Sequence, residues 1–468
     1  MKRIEVDVAV IGAGTAGLAA YRAAAAAGRR AVIIEGGPGG TTCARVGCMP
    51  SKLLIAAAEA AHGASRWPEF GLRLEGALRV DGRAVMERVR RERDRFVGFV
   101  REGVERIPEE DRIHGYARFE DDRTLSVGEL RIRFGRAVIA TGSSPAVPAM
   151  LREAGERLLV NDDVFEWKDL PRSVAVFGPG VIGLELGQAL HRLGVRVIMF
   201  GRDGLQGPFS DPTLRDYAIR HFRDEFEFYP HAHVQVVSEL PDGVAIMHRD
   251  EEGLERREVV DYVIAATGRK PNVDWLGLER TSLQRDERGV PLFDRHTMQC
   301  GNSPIFIAGD ADNDVPLLHE AADEGRIAGR NAALWPDVEP GLRRAPLAIA
   351  FCEPQIVIVG AKFADLAPGA FVTGAASFEN QGRSRVMLRN KGMMHVFAAT
   401  DSGRLLGAEI FGPDAEHLGH LLAWALQAGF TVERTLEMPF YHPVVEEGLR
   451  TALRAADAAL REHWKRSG

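Results

Sequence analysis

Asp7-Val8-Ala9-Val10-Ile11-Gly12-Ala13-Gly14-Thr15-Ala16-Gly17 is an apolar run that ends on three glycines spaced Gly-x-Gly-x-x-Gly. The apolar residues predict a buried strand, the glycines a tight turn, and the alanine-rich stretch beyond them a helix. A second strand over 31–34 ends at Glu35. The same design returns at Ser173-Val174-Ala175-Val176-Phe177-Gly178-Pro179-Gly180-Val181-Ile182-Gly183, with its second strand over 195–200. One glycine triplet is weak evidence, because a chance turn explains it. Two copies, each between a strand and a helix, predict two dinucleotide sites. At such a site the glycines admit the pyrophosphate to the backbone, and the helix N-terminus offers N–H groups and its positive dipole end. Gly12, Gly14 and Gly17, and Gly178, Gly180 and Gly183, are the candidate contacts.

Between the copies lies a charged helical stretch over 84–105, then short strands ending in Ala140-Thr141-Gly142-Ser143-Ser144-Pro145. A similar ending, Ala265-Ala266-Thr267-Gly268-Arg269, closes the second copy, and a strand then runs into Ala308-Gly309-Asp310. These boundaries place domain edges near 150, 270 and 343. Residues 344–468 read as an α+β segment without a glycine fingerprint: strands over 355–359 and 406–411, then helices over 415–428 and 443–461. A length of 468 residues fits about three domains. The net charge of −7 offers no electrostatic footprint for nucleic acid. No apolar run is long enough to span a membrane, and the start, which alternates charged and apolar residues, reads as a strand and not a signal peptide. A soluble, cytoplasmic protein is expected. The 4 cysteines make no disulfide framework, and Cys300 and Cys352 are expected to be buried thiols.

The other two cysteines stand in Gly39-Gly40-Thr41-Thr42-Cys43-Ala44-Arg45-Val46-Gly47-Cys48-Met49-Pro50-Ser51-Lys52, ahead of a helix-prone stretch over 53–61. Thr41 or Thr42 suits an N-cap, which puts both cysteines in the opening turns of that helix. Residues five apart on an ideal helix have Cα atoms roughly 8–9 Å apart, whereas a relaxed disulfide needs about 4.4–6.8 Å. A bond between Cys43 and Cys48 therefore requires a distorted helix, which Gly47 permits. Strained disulfides are the easily reduced ones, and a helix N-terminus favours the thiolate. The run reads as a centre that alternates between disulfide and dithiol; the alternative is a pair of buried or loop cysteines.

With these residues in view, the chain resembles the pyridine nucleotide–disulfide oxidoreductases, flavoproteins that include dihydrolipoamide dehydrogenase and glutathione reductase. The resemblance covers nearly the whole chain. It rests on Gly12 to Gly17, Cys43 to Lys52, Ala140 to Ser143, Gly178 to Glu185, Ala266 to Asn272, Ala308 to Asp310, and His442-Pro443. It implies an α/β fold like that of glutathione reductase, with two Rossmann-like folds and a C-terminal α+β dimerisation domain. Residues 1–150 and 271–343 would bind FAD, 151–270 would bind NAD(P), and 344–468 would form the interface of a homodimer whose active site is shared.

The resemblance also assigns roles. Glu35 would hold the adenosine ribose of FAD, and Asp310 the ribityl and phosphate region, with Thr42, Thr141 and Gly142 nearby. Arg202 stands by the second fingerprint, at the nicotinamide nucleotide, and Gly268 and Arg269 are further cofactor-binding candidates. Cys48 would lie against the flavin and Cys43 would exchange with substrate. Lys52 and Glu185 would form an ion pair near the reactive flavin nitrogen; taken singly, they read as a surface lysine and a helix cap. In Met438-Pro439-Phe440-Tyr441-His442-Pro443-Val444-Val445-Glu446-Glu447, Pro443 fits the first position of the terminal helix. His442 would move the proton for thiol exchange. The spacing favours Glu447 over Glu446 as its carboxylate partner. Threonine is usual where Val444 stands.

Within the family, the tail lacks the cysteines of mercuric and large thioredoxin reductases. The run Val46 to Lys52 and Gly183 favour the dihydrolipoamide dehydrogenase type. That implies oxidation of protein-bound dihydrolipoamide with NAD+ through Cys43–Cys48 and FAD. The partner would be the lipoyl domain of a 2-oxo acid dehydrogenase, a glycine-cleavage system or another lipoyl carrier. The alternatives are an NADPH-dependent reductase of a small disulfide and a non-enzymatic flavin-binding scaffold. No metal site is expected. Cofactor choice stays open on the residues: Gly201 stands where NAD-specific members keep an acid, Arg202 where NADP users keep an arginine, their second arginine would fall near Pro208, and Asp203 could replace the acid. Family frequency points to NAD, with NADP open.

Overall fold

Lys2–Ile11 is the strand from which the first sheet grows, because its last four residues are apolar and buried on both faces. The structure, a computed structural model, describes every residue except Met1, Asp203, Gln206, Gly207, Pro208 and Gly468. The chain divides into two compact units. The first comprises residues 1–50, 89–146 and 269–343; the second comprises 51–88, 147–268 and 344–468.

The first unit holds a 7-stranded sheet. Its order is Arg112–His114, Ala31–Glu35, Lys2–Ile11, Leu130–Ile139, Thr124–Val127 and Ala117–Asp121, with Ile305–Ile307 paired to the end of Leu130–Ile139. The pairs around Lys2–Ile11 are parallel, with Ile11 opposite both Ile34 and Ile139. Ile307 is level with Ile139 as well. Four parallel strands thus finish at one level, and the turns carrying Gly12, Glu35, Ala140 and Ala308 gather at their carboxyl ends, where open α/β sheets bind ligands. Thr15–Ala26 and Leu318–Leu334 are the helices beside this edge.

In the second unit, Glu227–Tyr229, Arg196–Phe200, Ser173–Phe177, Tyr262–Ala265 and Leu158–Val160 form a 5-stranded parallel sheet in that order. His233–Leu240, Gly243–Arg249 and Glu255–Val260 form a 3-stranded antiparallel sheet. A further antiparallel sheet has 5 strands: Leu347–Ala350, Gln355–Gly360, Leu405–Gly412, Met393–Ala399 and Phe371–Ser377. Helices Ala415–Gln427 and Glu447–Ser467 cover it, and Val357, Phe378, Val396, Ile410, Leu418 and Leu453 fill its core. The fold is α/β with two dinucleotide-type folds followed by an α+β segment. Cys300 and Cys352 are buried free thiols, and burial pushes both well above the ordinary thiol range. Among the described residues, no helix is long and apolar enough to cross a membrane.

Two expectations are corrected. Cys43 and Cys48 do not share one helix: Thr42–Val46 stops at Gly47, and Cys48 opens the longer helix Cys48–Ser65. The interruption lets position 47 fold back on the preceding turn. A Cβ on Gly47 would lie 3.2 Å from the Cys43 Cα and 3.2 Å from the Thr42 carbonyl oxygen. The terminal helix, expected to begin at Pro443, begins at Glu447. The Gln381 side-chain amide, distant in sequence, donates to the Val444 carbonyl at 2.7 Å. Gly448 N–H bonds only three residues back, to Val445, before Arg450 N–H reaches Glu446 at helical spacing.

Candidate active site

Both glycine turns are built on the same contacts. Gly12 has φ +107°, and a Cβ there would stand 2.3 Å from the Ala140 carbonyl oxygen. Gly178 has φ +102°, and its Cβ would stand 2.4 Å from the Ala266 carbonyl oxygen. Gly17 and Gly183 bring their helices so close to the turns that a Cβ would overlap the Gly12 or Gly178 carbonyl oxygen, at 1.8 and 2.0 Å. Only glycine permits these conformations and approaches. Gly14 and Gly180 are the N-caps of Thr15–Ala26 and Val181–Arg192, and no side chain caps either helix. A Cβ on Gly14 would meet nothing within 4 Å. The first-turn N–H groups at Gly14 therefore face a cradle that fits a pyrophosphate.

Glu35 is fixed beside the first turn. Its carboxylate accepts the Ala13 N–H at 2.8 Å and the Gly37 N–H at 2.7 Å. Asp310, at the end of the sheet, accepts the Ser143 hydroxyl at 2.6 Å. Ser143 in turn accepts Arg269 Nε at 2.7 Å on its hydroxyl and Arg269 Nη2 at 2.7 Å on its carbonyl. Thr141 donates to the Asn272 carbonyl at 2.8 Å, and Asn272 returns its amide to the Thr141 carbonyl at 3.0 Å. Asn272 N–H also donates to the Gly142 carbonyl at 2.9 Å. Ser143 and Asn272 thus tie Thr141, Gly142, Arg269 and Asp310 together. The sequence singled out neither, although both lie in the matching stretches; their bonding joins segments far apart in the chain, 131 residues in the case of Asn272 and Thr141.

Cys43 lies half-buried in Thr42–Val46, and Cys48 is exposed at the start of Cys48–Ser65. The Thr41 hydroxyl caps the shorter helix by accepting the Ala44 N–H at 3.3 Å; Thr42, beside it, is exposed. One helical turn beyond Cys48, Lys52 donates to both Glu185 oxygens at 2.9 and 2.8 Å. Glu185 is buried and also accepts the Phe351 N–H at 2.9 Å. The Lys52 ammonium sits 4.6 Å from the Phe351 ring centroid. Phe351 was not anticipated, because nothing near it in sequence marks a partner for a lysine some 300 positions earlier in the chain, at 52.

The helix carrying Glu185 is anchored by Glu353. Arg192 Nη1 and Arg389 Nε reach its carboxylate at 2.9 and 2.6 Å, and Arg66 Nη1 at 3.3 Å. Burial would raise the Glu353 carboxyl, but Arg389, Arg192 and Arg66 outweigh it and hold the group at about 2, against 4.5. A depressed carboxylate stabilises the fold fully above its unfolded pKa and loses that contribution as pH falls through the folded value. Here the window is pH 4.5 down to about 2, and the contribution is roughly 3 kcal/mol. In urea unfolding, Glu353→Gln should be less stable than wild type at pH 7, with the gap closing as pH drops through that window. A gap that persists at low pH would rule this account out.

His442 Nδ1 lies 3.0 Å from Glu447 Oε2, and the His442 side chain is 80% exposed. Glu447 also accepts Arg450 Nη2 at 2.7 Å and the Val444 N–H at 3.4 Å. Desolvation would raise the Glu447 carboxyl, but the His442 hydrogen bond, the Val444 N–H and Arg450 together hold it below the ordinary range. A carboxylate at Nδ1 keeps the proton there and leaves Nε2 as the basic nitrogen.

Gly268, with φ +106°, turns the chain after the second sheet. Arg202 follows Gly201 on the surface. Asp203 and Pro208, weighed above for nucleotide choice, lie outside the described residues. Each of these groups is assembled within its own unit. No metal-binding cluster occurs among the described residues.

Comparison with known proteins matches this architecture. The family model "Pyridine nucleotide-disulphide oxidoreductase" matches residues 6–325, and that family's dimerisation domain matches residues 347–453. The chain is 31% identical to dihydrolipoyl dehydrogenase of Bacillus subtilis over 468 residues, covering 98% of this chain and 97% of that protein. It is 30% identical to mercuric reductase of Shigella flexneri over 459 residues, covering 96% and 80%. Among solved structures, the Cu(II) complex of the HOCl-induced flavoprotein disulfide reductase RclA from Escherichia coli shares the fold with a TM-score of 0.83 at 22% identity, covering 96% of this chain and 99% of that one. LpdA from Mycobacterium tuberculosis does so with a TM-score of 0.82 at 23% identity, covering 97% and 99%. With both family models matched in order along one chain, this protein belongs to the pyridine nucleotide–disulphide oxidoreductases, flavoenzymes of the lipoamide dehydrogenase type.

Proposed function

We propose that the protein oxidises a dihydrolipoyl dithiol to its disulfide, or runs that exchange in reverse, through Cys43 and Cys48. The observation that carries this reading is the cysteine pair divided by Gly47, with Cys43 Cα close against the folded-back turn. In the oxidising direction, a substrate thiolate attacks Cys43 of the disulfide and Cys48 leaves as thiolate. The second substrate thiol then displaces Cys43, so that two sulfurs of substrate are joined and two of the protein are reduced. His442 Nε2 takes the proton of the attacking thiol, with Glu447 holding the ring in the required tautomer. Gly12, Gly14, Gly17, Glu35 and Asp310 would hold FAD, and Gly178, Gly180 and Gly183 a pyridine nucleotide; bound there, the flavin would supply two-electron exchange between nicotinamide and sulfur. For Lys52, held by Glu185 and Phe351, the proposed role is to stabilise the reduced anionic flavin.

The proposed segments are 1–150 with 271–343 for FAD, 151–270 for the nucleotide, and 344–468 for the interface. The match of residues 347–453 to a dimerisation domain supports a homodimer; in that dimer His442 is proposed to serve the partner subunit's cysteines. The dihydrolipoyl dehydrogenase relatives support a lipoyl-carrying protein as partner. The purified protein should oxidise free dihydrolipoamide with a pyridine nucleotide, and faster than it reduces glutathione disulfide. No lipoamide turnover in either direction, with either nucleotide, would refute the proposed substrate.

A further inference from the structure

The two glycine turns differ at one paired set of positions. Gly12 N–H donates to the Ile34 carbonyl at 2.8 Å, and Gly178 N–H to the Phe200 carbonyl at 2.9 Å. Ile34 and Phe200 are therefore equivalent, and so are Glu35 and Gly201, Ala13 and Pro179, and Gly36 and Arg202. In the first fold a carboxylate stands at the strand end, held by the Ala13 N–H at 2.8 Å. In the second fold both halves of that device are missing. Pro179 has no N–H to anchor a carboxylate. Position 201 is also closed to a side chain: a Cβ there would lie 2.5 Å from the Pro230 carbonyl oxygen, 3.0 Å from the Gly204 carbonyl oxygen and 3.0 Å from Pro179 Cγ. The next residue is a cation, Arg202, exposed.

An acid at this strand end reads the free hydroxyls of a dinucleotide ribose; an arginine there accommodates a 2′-phosphate. We infer that Pro179, Gly201 and Arg202 set the second site for the 2′-phosphorylated dinucleotide, NADP(H), in preference to NAD(H). This rests on the reading of the second glycine turn as a nicotinamide nucleotide site. It departs from the family's usual preference because the acid and its backbone anchor are lost together, and backbone atoms fill the space the acid would need. A guanidinium pairs with a phosphate through charged, directional hydrogen bonds that a ribose hydroxyl cannot match.

Calorimetric titration of the FAD-loaded protein with NADP+ and with NAD+ tests this without turnover. NADP+ should bind roughly 10-fold tighter or more, as one charge-assisted contact allows. Arg202→Ala should remove most of that difference by weakening NADP+ binding far more than NAD+ binding. Gly201→Glu alone should gain little NAD+ affinity, because its Cβ meets the Pro230 carbonyl. NAD+ binding as tight as NADP+, or Arg202→Ala weakening both alike, would overturn the inference while leaving the nucleotide site itself standing. Failure of either dinucleotide to bind would overturn that underlying reading as well.

Discussion

Cys48→Ser is expected to abolish lipoamide turnover, with a loss on the order of 10⁴-fold or more, as when one member of a catalytic unit is removed. Serine cannot form a disulfide, so no protein disulfide remains to take the two electrons that leave the dithiol. The loss should fall in kcat, because the dithiol can still be attracted to the site but cannot complete exchange. Cys43→Ser should lose turnover just as fully, yet the two variants should differ in spectrum. In the wild type, two-electron reduction opens the disulfide and leaves the Cys48 thiolate beside oxidised flavin, which should give a long-wavelength absorbance; Cys43→Ser, which has no disulfide, should show that absorbance before any reduction and lose it when two electrons reduce the flavin, and Cys48→Ser should lack it throughout. Reduction of an artificial acceptor by the nucleotide should survive in both, since it bypasses sulfur. Retained flavin content and melting temperature would show that each variant is folded. Lipoamide turnover within ten-fold of wild type in Cys48→Ser would remove the cysteine pair from the mechanism.

His442→Gln should lower kcat by about 10²–10⁴-fold, the range for removing a positioned acid–base group. Glutamine keeps a hydrogen-bonding side chain of similar reach but cannot accept the thiol proton. The pH dependence assigned to that base should therefore flatten in the variant, with the residual rate rising steadily as more substrate dithiol ionises. Glu447→Gln tests the same unit from the other side. Glu447 is held between His442 and Arg450 at 3.0 and 2.7 Å. Its carboxyl is held below the ordinary range by His442, Val444 and Arg450 against the cost of desolvation, so it stays ionised at neutral pH. Neutralising it should release the ring from its tautomer and cost kcat a similar factor with KM little changed. A pH profile in His442→Gln that overlays the wild type, at whatever absolute rate, would assign the proton transfer to another group.

The structure bears on the sequence reading unevenly. The turns at Gly12 and Gly178 were legible, because a positive φ and an overlapping Cβ leave glycine as the one residue that fits, and the spacing is local. The break between the cysteines was legible only as a permission given by Gly47; which side of it each cysteine takes was not, and the two fall on different helices. Pro443 suggested a helix start, but the Gln381 amide claims the Val444 carbonyl and the helix begins later. Nucleotide choice hung between Gly201 and Arg202 on one hand and family frequency on the other. The Pro230 carbonyl, 2.5 Å from a Cβ at 201, is what turns a missing acid into an excluded one.

The strand–turn–helix folds and the cysteine run are legible from the residues alone, since their demands on φ, close approach and capping are met by residues within a few positions of one another. The meeting of Lys52 with Glu185 over Phe351, the link from Arg269 through Ser143 to Asp310, and the closure of position 201 to a side chain are set by the packed chain. Those contacts join segments distant along the chain, and their geometry follows from how the strands align and the helices pack, which no local pattern encodes.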